Sequence, residues 1–144
     1  MIGLARGILM VLQAGNIIDT VVYYFSLPLA AFPSWFCGVA MLAMQTLLNF
    51  LIPSGSGQAG VAMPIIGPIA QGIGMNLQSA TLAFNFGDGY SNLLWPTAYA
   101  VMLPTLAGIP VGRYYKWFGK LFFFTCIILI ILLEISLIIW QGVY

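Results

Sequence analysis

The sequence predicts an all-α membrane protein built around a helical hairpin and a discontinuous helix. Three observations carry that prediction. Of 144 residues, 62% are hydrophobic and 5% are charged, whereas a soluble domain carries roughly 25% charged residues. Four basic and three acidic side chains cannot coat a folded surface in water, and the mean hydropathy of +1.04 agrees. Second, apolar sequence of membrane length stops twice, at Asn49-Phe50-Leu51-Ile52-Pro53-Ser54-Gly55-Ser56-Gly57-Gln58 and at Asn85-Phe86-Gly87-Asp88-Gly89-Tyr90-Ser91-Asn92, before Pro96-Thr97. In hydrocarbon every freed N–H and C=O costs several kcal/mol unless it finds a partner, so such breaks persist where they line a cavity. Paired breaks of this kind mark the binding sites of secondary transporters, where half-helix ends hold substrate and ions. Third, Leu121 to Trp140 carries one charge, Glu134, and at about 1.5 Å per residue it reaches about 30 Å, the thickness of a bilayer's hydrocarbon core.

The chain reads as a single transmembrane region, 1–144. Residues 1–33 suggest two N-terminal helices, Ile2 to Leu12 and Ile17 to Leu29, joined near Gly15-Asn16 and closed by Pro28 and Pro33. They fit a span, an interfacial helix or the end of a larger preceding element. Arg6 before an apolar stretch resembles a signal peptide, but that stretch is short and no A-x-A site follows, so the segment is expected in the mature protein. Residues 35–73 form a helical hairpin. Trp35 to Ile52 is its first arm and stops at Pro53, residues 53–57 are its tip, and Gln58 to Ile73 is its return arm with Pro64 and Pro68 inside. The return arm is short for a full crossing, which makes the hairpin re-entrant. Residues 77–108 form a broken helix: a half-helix over Ser79–Phe86, an unwound stretch over Gly87–Asn92, and a second half over Leu93–Ala107 that ends at Gly108-Ile109-Pro110. Residues 113–120 mix Arg113, Lys116 and Lys120 with aromatics, as an interfacial belt does, and their positive charge places this loop in the cytoplasm. The final transmembrane helix, 121–140, then carries the C-terminus to the extracytoplasmic side.

The two interruptions hold the candidate site. Ser54 and Ser56 supply hydroxyl oxygens, and Gly55 and Gly57 let the backbone turn its carbonyls or N–H groups inward. Hydroxyls and carbonyls suit a sodium ion, and the N–H groups opening the return arm suit a carboxylate. SGSG is also the composition of an exposed flexible linker. Asp88 is the one carboxylate of the central region; inside a break it coordinates a cation or exchanges protons, and in an ordinary surface turn it is wet and idle. Ser91, Asn92 and Thr97 add neutral polar groups, and Pro96 leaves a carbonyl unpaired one turn back. Asn49 joins this set, although with Gln45 and Thr46 it serves equally well in hydrogen bonding between helices. Glu134, toward the outer end of the last span, snorkels to the interface, pairs within the bundle or carries protons, and with no partner visible the first reading is preferred; Asp19 reads as an interfacial charge, and Cys37 and Cys126 as small buried hydrophobes.

Several function classes fall away. No basic stripe tracks phosphates, so nucleic acid is not expected as a partner. The chain has no histidine, which removes histidine-based catalysis and the usual metal ligand. Ser56 in Gly55-Ser56-Gly57 resembles the serine of intramembrane proteases, but that chemistry needs a histidine base. No enzymatic activity and no cofactor are expected.

The strings Ile2-Gly3-Leu4-Ala5-Arg6-Gly7-Ile8, Asp19-Thr20, Leu48-Asn49-Phe50-Leu51-Ile52-Pro53-Ser54-Gly55-Ser56-Gly57-Gln58-Ala59, Met63-Pro64-Ile65, Phe86-Gly87-Asp88-Gly89-Tyr90-Ser91-Asn92-Leu93, Pro96-Thr97 and Ala107-Gly108-Ile109-Pro110 occur in order. Together they closely resemble the C-terminal part of the YfcC/DcuC-like anaerobic C4-dicarboxylate carriers, bacterial inner-membrane proteins of the ion transporter superfamily. Short-chain fatty acid carriers of the same superfamily share a similar tip. The resemblance implies an inverted-repeat transporter of which this chain is one repeat, each repeat having a re-entrant hairpin and a broken helix. It implies dimerisation through a scaffold and an elevator motion in a multi-pass protein of the inner membrane. By position, Ser54, Gly55, Ser56 and Gly57 correspond to the second hairpin's tip, and Gly87, Asp88, Gly89, Ser91, Asn92, Pro96 and Thr97 to the second broken helix. Sodium would lie at Ser54, Ser56, Asp88 and Asn92, and the solute would be a small carboxylate or amino acid coupled to Na+ or H+. Family members are far longer, so the partners implied are the lipid bilayer, the solute, the missing N-terminal repeat and a second copy of the carrier. The chain is expected to be the terminal piece of a split or truncated carrier. Two oppositely oriented copies completing one site are disfavoured by the positive-inside bias. The competing class is a non-transporting membrane fragment or subunit that binds another carrier through its helices; a third is a channel-like oligomer.

Overall fold

The structure, a computed structural model, describes residues 10–11, 14–15, 20, 34–97 and 99–140. The helix pair expected within 1–33, with Asp19, lies outside the described residues apart from those few positions. Among the described residues the chain is helical, with five helices and no strand.

Each helix starts and stops for a local reason. Helix α1, Ser34–Leu51, ends two residues before Pro53, because the residue preceding a proline is pushed out of the α region. Ser54 then caps α2, Gly55–Gly72, from an extended backbone (φ −151°, ψ 110°), with its hydroxyl accepting from the Gly57 N–H at 3.4 Å. Pro64 and Pro68 lie inside α2, where each removes one N–H donor. Past its last residue the chain turns at Gly74, whose φ of +71° suits a residue without Cβ, and the Met75 N–H reaches back to the Ala70 carbonyl at 2.8 Å. Helix α3, Leu77–Ser91, begins with the Asn76 side chain accepting from the Ser79 N–H at 2.7 Å. Helix α4, Tyr99–Leu106, is short and ends with the Ile109 N–H on the Pro104 carbonyl at 2.8 Å. Helix α5, Val111–Ile139, follows Pro110 directly.

Two expectations shift. The unwound stretch does not lie at Gly87–Asn92: α3 runs through Gly87-Asp88-Gly89 to Ser91, and the interruption falls between Ser91 and Tyr99. Pro96 is the physical cause, since it cannot donate and disfavours the α conformation at Trp95, whereas two glycines weaken a helix without ending it. The aromatic segment 113–120 is not separate from the last helix but forms the opening turns of α5.

Helices α1 and α3 are the central pair. Ala80, Ala83 and Gly87 put small residues on the buried face of α3, which lets the two backbones approach. A Cβ on Gly87 would collide with Gln45 Cβ and stand 3.1 Å from the Thr46 amide nitrogen. Helix α5 packs on both through Leu133 and Ser136, with the Ser136 hydroxyl 2.9 Å from that of Ser79. Helix α2 leans mainly on α3 and touches α1 lightly. Between α1 and α2 lies an apolar cavity of about 190 Å³, with Met44 and Leu48 on one wall and Val61, Ile65 and Ile69 on the other. The outer face of α5 leaves Phe123, Phe124, Ile127, Ile128, Ile131 and Ile138 exposed. It is the one helix among the described residues long and apolar enough to cross a bilayer.

Candidate functional site at the two helix interruptions

The two interruptions meet. Three helix ends converge: the C-terminus of α1, the N-terminus of α2 and the C-terminus of α3. Each leaves backbone groups without a partner inside its own helix, and the polar side chains of the breaks answer them. The Thr97 hydroxyl donates to the Phe50 carbonyl at 3.1 Å, and the Trp95 indole N–H to the Thr46 carbonyl at 2.7 Å. The Trp95 ring stands edge-on to Phe50, with centroids 5.1 Å apart. The break thus lies over the end of α1.

Behind it, Asn49 is fully buried and donates its amide to the Asp88 carbonyl at 3.1 Å and to the Ser91 hydroxyl at 2.7 Å. Ser91 in turn donates to the Gly87 carbonyl. The Asn92 amide donates to the same Asp88 carbonyl at 2.9 Å and to Asp88 Oδ1 at 3.4 Å. One turn deeper, Gln58 of α2 donates to both the backbone carbonyl and the side-chain oxygen of Gln45 at 3.0 Å, and both glutamines are fully buried.

Asp88 projects from this network onto the start of α2. A Cβ on Gly55 would stand 2.7 Å from Asp88 Oδ2, so glycine is what lets the carboxylate approach the first turn of that helix. The free N–H groups and the dipole there favour a negative charge. The oxygens of the network outnumber its donors: Asn49 Oδ1, Asn92 Oδ1 and Gln58 Oε1 are buried with no hydrogen-bond partner among the described residues, against one buried donor, Gln45 Nε2. A surplus of oxygen acceptors beside a carboxylate suits a cation, and the opened N-terminus of α2 suits an anion. Among the described residues no cluster of His, Cys, Asp and Glu forms a transition-metal site.

The junction therefore gathers Asn49, Ser54, Gly55, Gly57, Gly87, Asp88, Ser91 and Asn92, with Thr97 at its edge. Ser56 is exposed on the first turn of α2, Pro96 is exposed, and Gly89 faces open space. Asn92 turns its amide nitrogen, not its oxygen, toward Asp88. Gln58 had no role assigned from sequence, and its signal was faint: one amide a turn into an apolar arm. Tyr114 and Tyr115 read as interfacial aromatics, yet their hydroxyls donate to the Leu93 and Leu94 carbonyls of the break at 2.7 and 2.9 Å. Nothing in their spacing signals that contact.

Residues 1–138 match the family model described as the C4-dicarboxylate anaerobic carrier, DcuC. The chain belongs to this carrier family. It is 33% identical over 107 residues to the putative basic amino acid antiporter YfcC of Escherichia coli, covering 71% of this chain and 21% of that protein. It is 33% identical over 116 residues to an uncharacterized protein of Haemophilus influenzae, covering 81% and 23%. A putative short-chain fatty acid transporter of Escherichia coli is 31% identical over 67 residues, covering 46% of this chain and 15% of that protein. The chain thus spans about a fifth of the length of the first two of these relatives. No solved structure matches it.

Proposed function

We propose that the chain is the C-terminal portion of a secondary active transporter for small carboxylates or amino acids, coupled to Na+ or H+. The observation that supports this best is the approach of Asp88 to Gly55, which sets a carboxylate over a helix N-terminus where two interruptions converge. A coupling mechanism follows. Without a cation, Asp88 lies over the start of α2, where a solute carboxylate would otherwise bind. A sodium ion or proton at Asp88, assisted by the Asn49 oxygen and by Ser54, neutralises it and lets it leave that position. The α2 N–H groups are then free for the carboxylate of the solute, so cation and anion bind together. Ser56, Gly57, Gly87, Gly89, Ser91, Pro96 and Thr97 shape the two breaks around this exchange.

In this reading α1 and α2 form a re-entrant hairpin and the exposed face of α5 meets lipid. Arg113, Lys116 and Lys120 lie on the cytoplasmic side of a bacterial inner membrane, and the C-terminus lies outside. An N-terminal repeat supplies the other half of the site, and the carrier dimerises. The test is uptake by proteoliposomes holding the complete carrier, with labelled succinate, butyrate and arginine as probes and Na+ and pH gradients applied separately. Asp88→Asn is expected to abolish cation-dependent uptake; uptake with unchanged cation dependence refutes the mechanism. The apolar face of α5 would also seat a helix of another carrier, the reading as a non-transporting subunit, which predicts association without uptake of any probe.

A further inference from the structure

Asp88 and Glu134 are the two acidic residues among the described positions, and the junction uses only Asp88. Glu134 lies in the last third of α5, in sequence otherwise uncharged from Leu121 to Trp140. Its Oε1 is buried and has no hydrogen-bond partner among the described residues. Across the contact between α1 and α5 it meets Gly38, where a Cβ would stand 3.1 Å from Oε1 and 2.9 Å from Leu137 Cδ1. A side chain at position 38 would push the carboxyl away. Two locally unfavourable choices therefore meet at one point. Glycine inside a helix costs about 1 kcal/mol relative to alanine, and a carboxyl at membrane depth costs a few kcal/mol on insertion scales. Where local rules fail together without a structural return, function is the usual reason.

A structural role would need a donor for Oε1. The nearby hydroxyls are engaged elsewhere, Ser136 with Ser79 and the Leu133 carbonyl. Of titratable groups, α1 brings Cys37 within electrostatic reach. Helix α3 carries its own, Asp88 and Tyr90, at its far end, and on α5 the nearest is Cys126, two turns earlier. No basic residue lies in α1, α3 or the second half of α5 to neutralise an ionised carboxylate here. Glu134 also stands at a different depth from the junction: from Gly38 to Asn49, at about 1.5 Å per residue along α1, the separation is on the order of 16 Å.

We propose that Glu134 is a proton-binding site separate from Asp88, its carboxyl holding a proton while α5 packs on Gly38 and releasing it to water when that contact loosens. Treating this proton as a coupling ion rests on the transport function above; the binding itself does not. The test is difference infrared spectroscopy of the complete carrier in lipid nanodiscs, titrated with pH and read at the carbonyl stretch of a protonated carboxyl. The wild type is expected to lose a carboxyl band as pH rises, Glu134→Gln to lack that band, and Asp88→Asn to keep it. Gly38→Ala retains the carboxyl but displaces it, and should move the midpoint by about one pH unit, tenfold in proton affinity. A titration identical in wild type and Glu134→Gln overturns the proposal, as does a midpoint unmoved by Gly38→Ala. If no probe is taken up yet the Glu134 band titrates, the transport reading fails and the proton site stands.

Discussion

Gly87 and Gly89 flank Asp88 in one helix, and replacing each by alanine separates close approach from helix propensity. In a helix interior either exchange gains about 1 kcal/mol. At position 89 nothing lies within 4 Å of the new methyl, so the gain is kept. At position 87 the methyl strikes Gln45 Cβ and comes within 3.1 and 3.2 Å of the Thr46 amide nitrogen and the Gln45 carbonyl carbon. Backbone atoms cannot rotate away, so α1 and α3 must part. Overpacking of this kind costs about 1–3 kcal/mol. Parting also stretches the Asn49 bonds to Asp88 and Ser91, at about 1 kcal/mol each. The net effect of Gly87→Ala is a loss of about 2–4 kcal/mol, and a carrier of its relatives' length, several times that of this chain, loses about 1 °C in Tm per kcal/mol. Heat unfolding of the complete carrier in detergent, followed by tryptophan fluorescence, reads the difference: Gly87→Ala melts a few degrees low, Gly89→Ala about one degree high. If Gly87→Ala melted at or above Gly89→Ala, the close crossing of α1 and α3 would be wrong.

Asn49→Ala removes a fully buried donor to two partners and should lower stability by about 2 kcal/mol in the same melts; a loss under about 0.5 kcal/mol, the range of a surface change, would show that the network is not formed. Gly55→Ala places a methyl 2.7 Å from Asp88 Oδ2 and holds the carboxylate off α2. It should leave the melting temperature nearly unchanged while weakening the cation dependence of uptake about tenfold, about 1.4 kcal/mol. Wild-type cation dependence in that variant would remove Asp88 from the coupling step.

What the sequence made legible was whatever is written in neighbouring residues. Pro53 specifies a stop, and the structure ends α1 there, but α2 opens at Gly55 with Ser54 as its cap, three residues before the return arm that the sequence places from Gln58. The polar residues of the two interruptions were recognisable as costly in apolar surroundings, and most of them lie in one junction. Less legible was whatever depends on a segment distant in sequence. Gly87-Asp88-Gly89 looks like an unwound stretch because glycine frees the backbone, but Gly87 is glycine because Gln45 lies against it, 42 positions away in sequence. The true terminator, Pro96, was in plain view and was outweighed by the glycines. Gln58 answers Gln45 across the hairpin, and one amide in an apolar arm announces no partner. For Glu134 the sequence leaves reaching the surface, pairing and carrying protons all open, since a glycine clearing room on another helix leaves no mark near it.

The hydroxyls of Tyr114 and Tyr115 on the carbonyls of Leu93 and Leu94 have a consequence for the order of manufacture. Ribosomes deliver the chain N-terminus first at about 5–20 residues per second. The donors trail the carbonyls they serve by 21 positions, a delay of about 1–4 s at that pace. Until the last helix arrives, the peptide groups of the break must be served by water or by the insertion machinery. A ribosome that stalls between Leu94 and Tyr114 therefore leaves a nascent chain that already carries Asp88, its α2 partner and both interruptions, but lacks the residues that hold the break in shape.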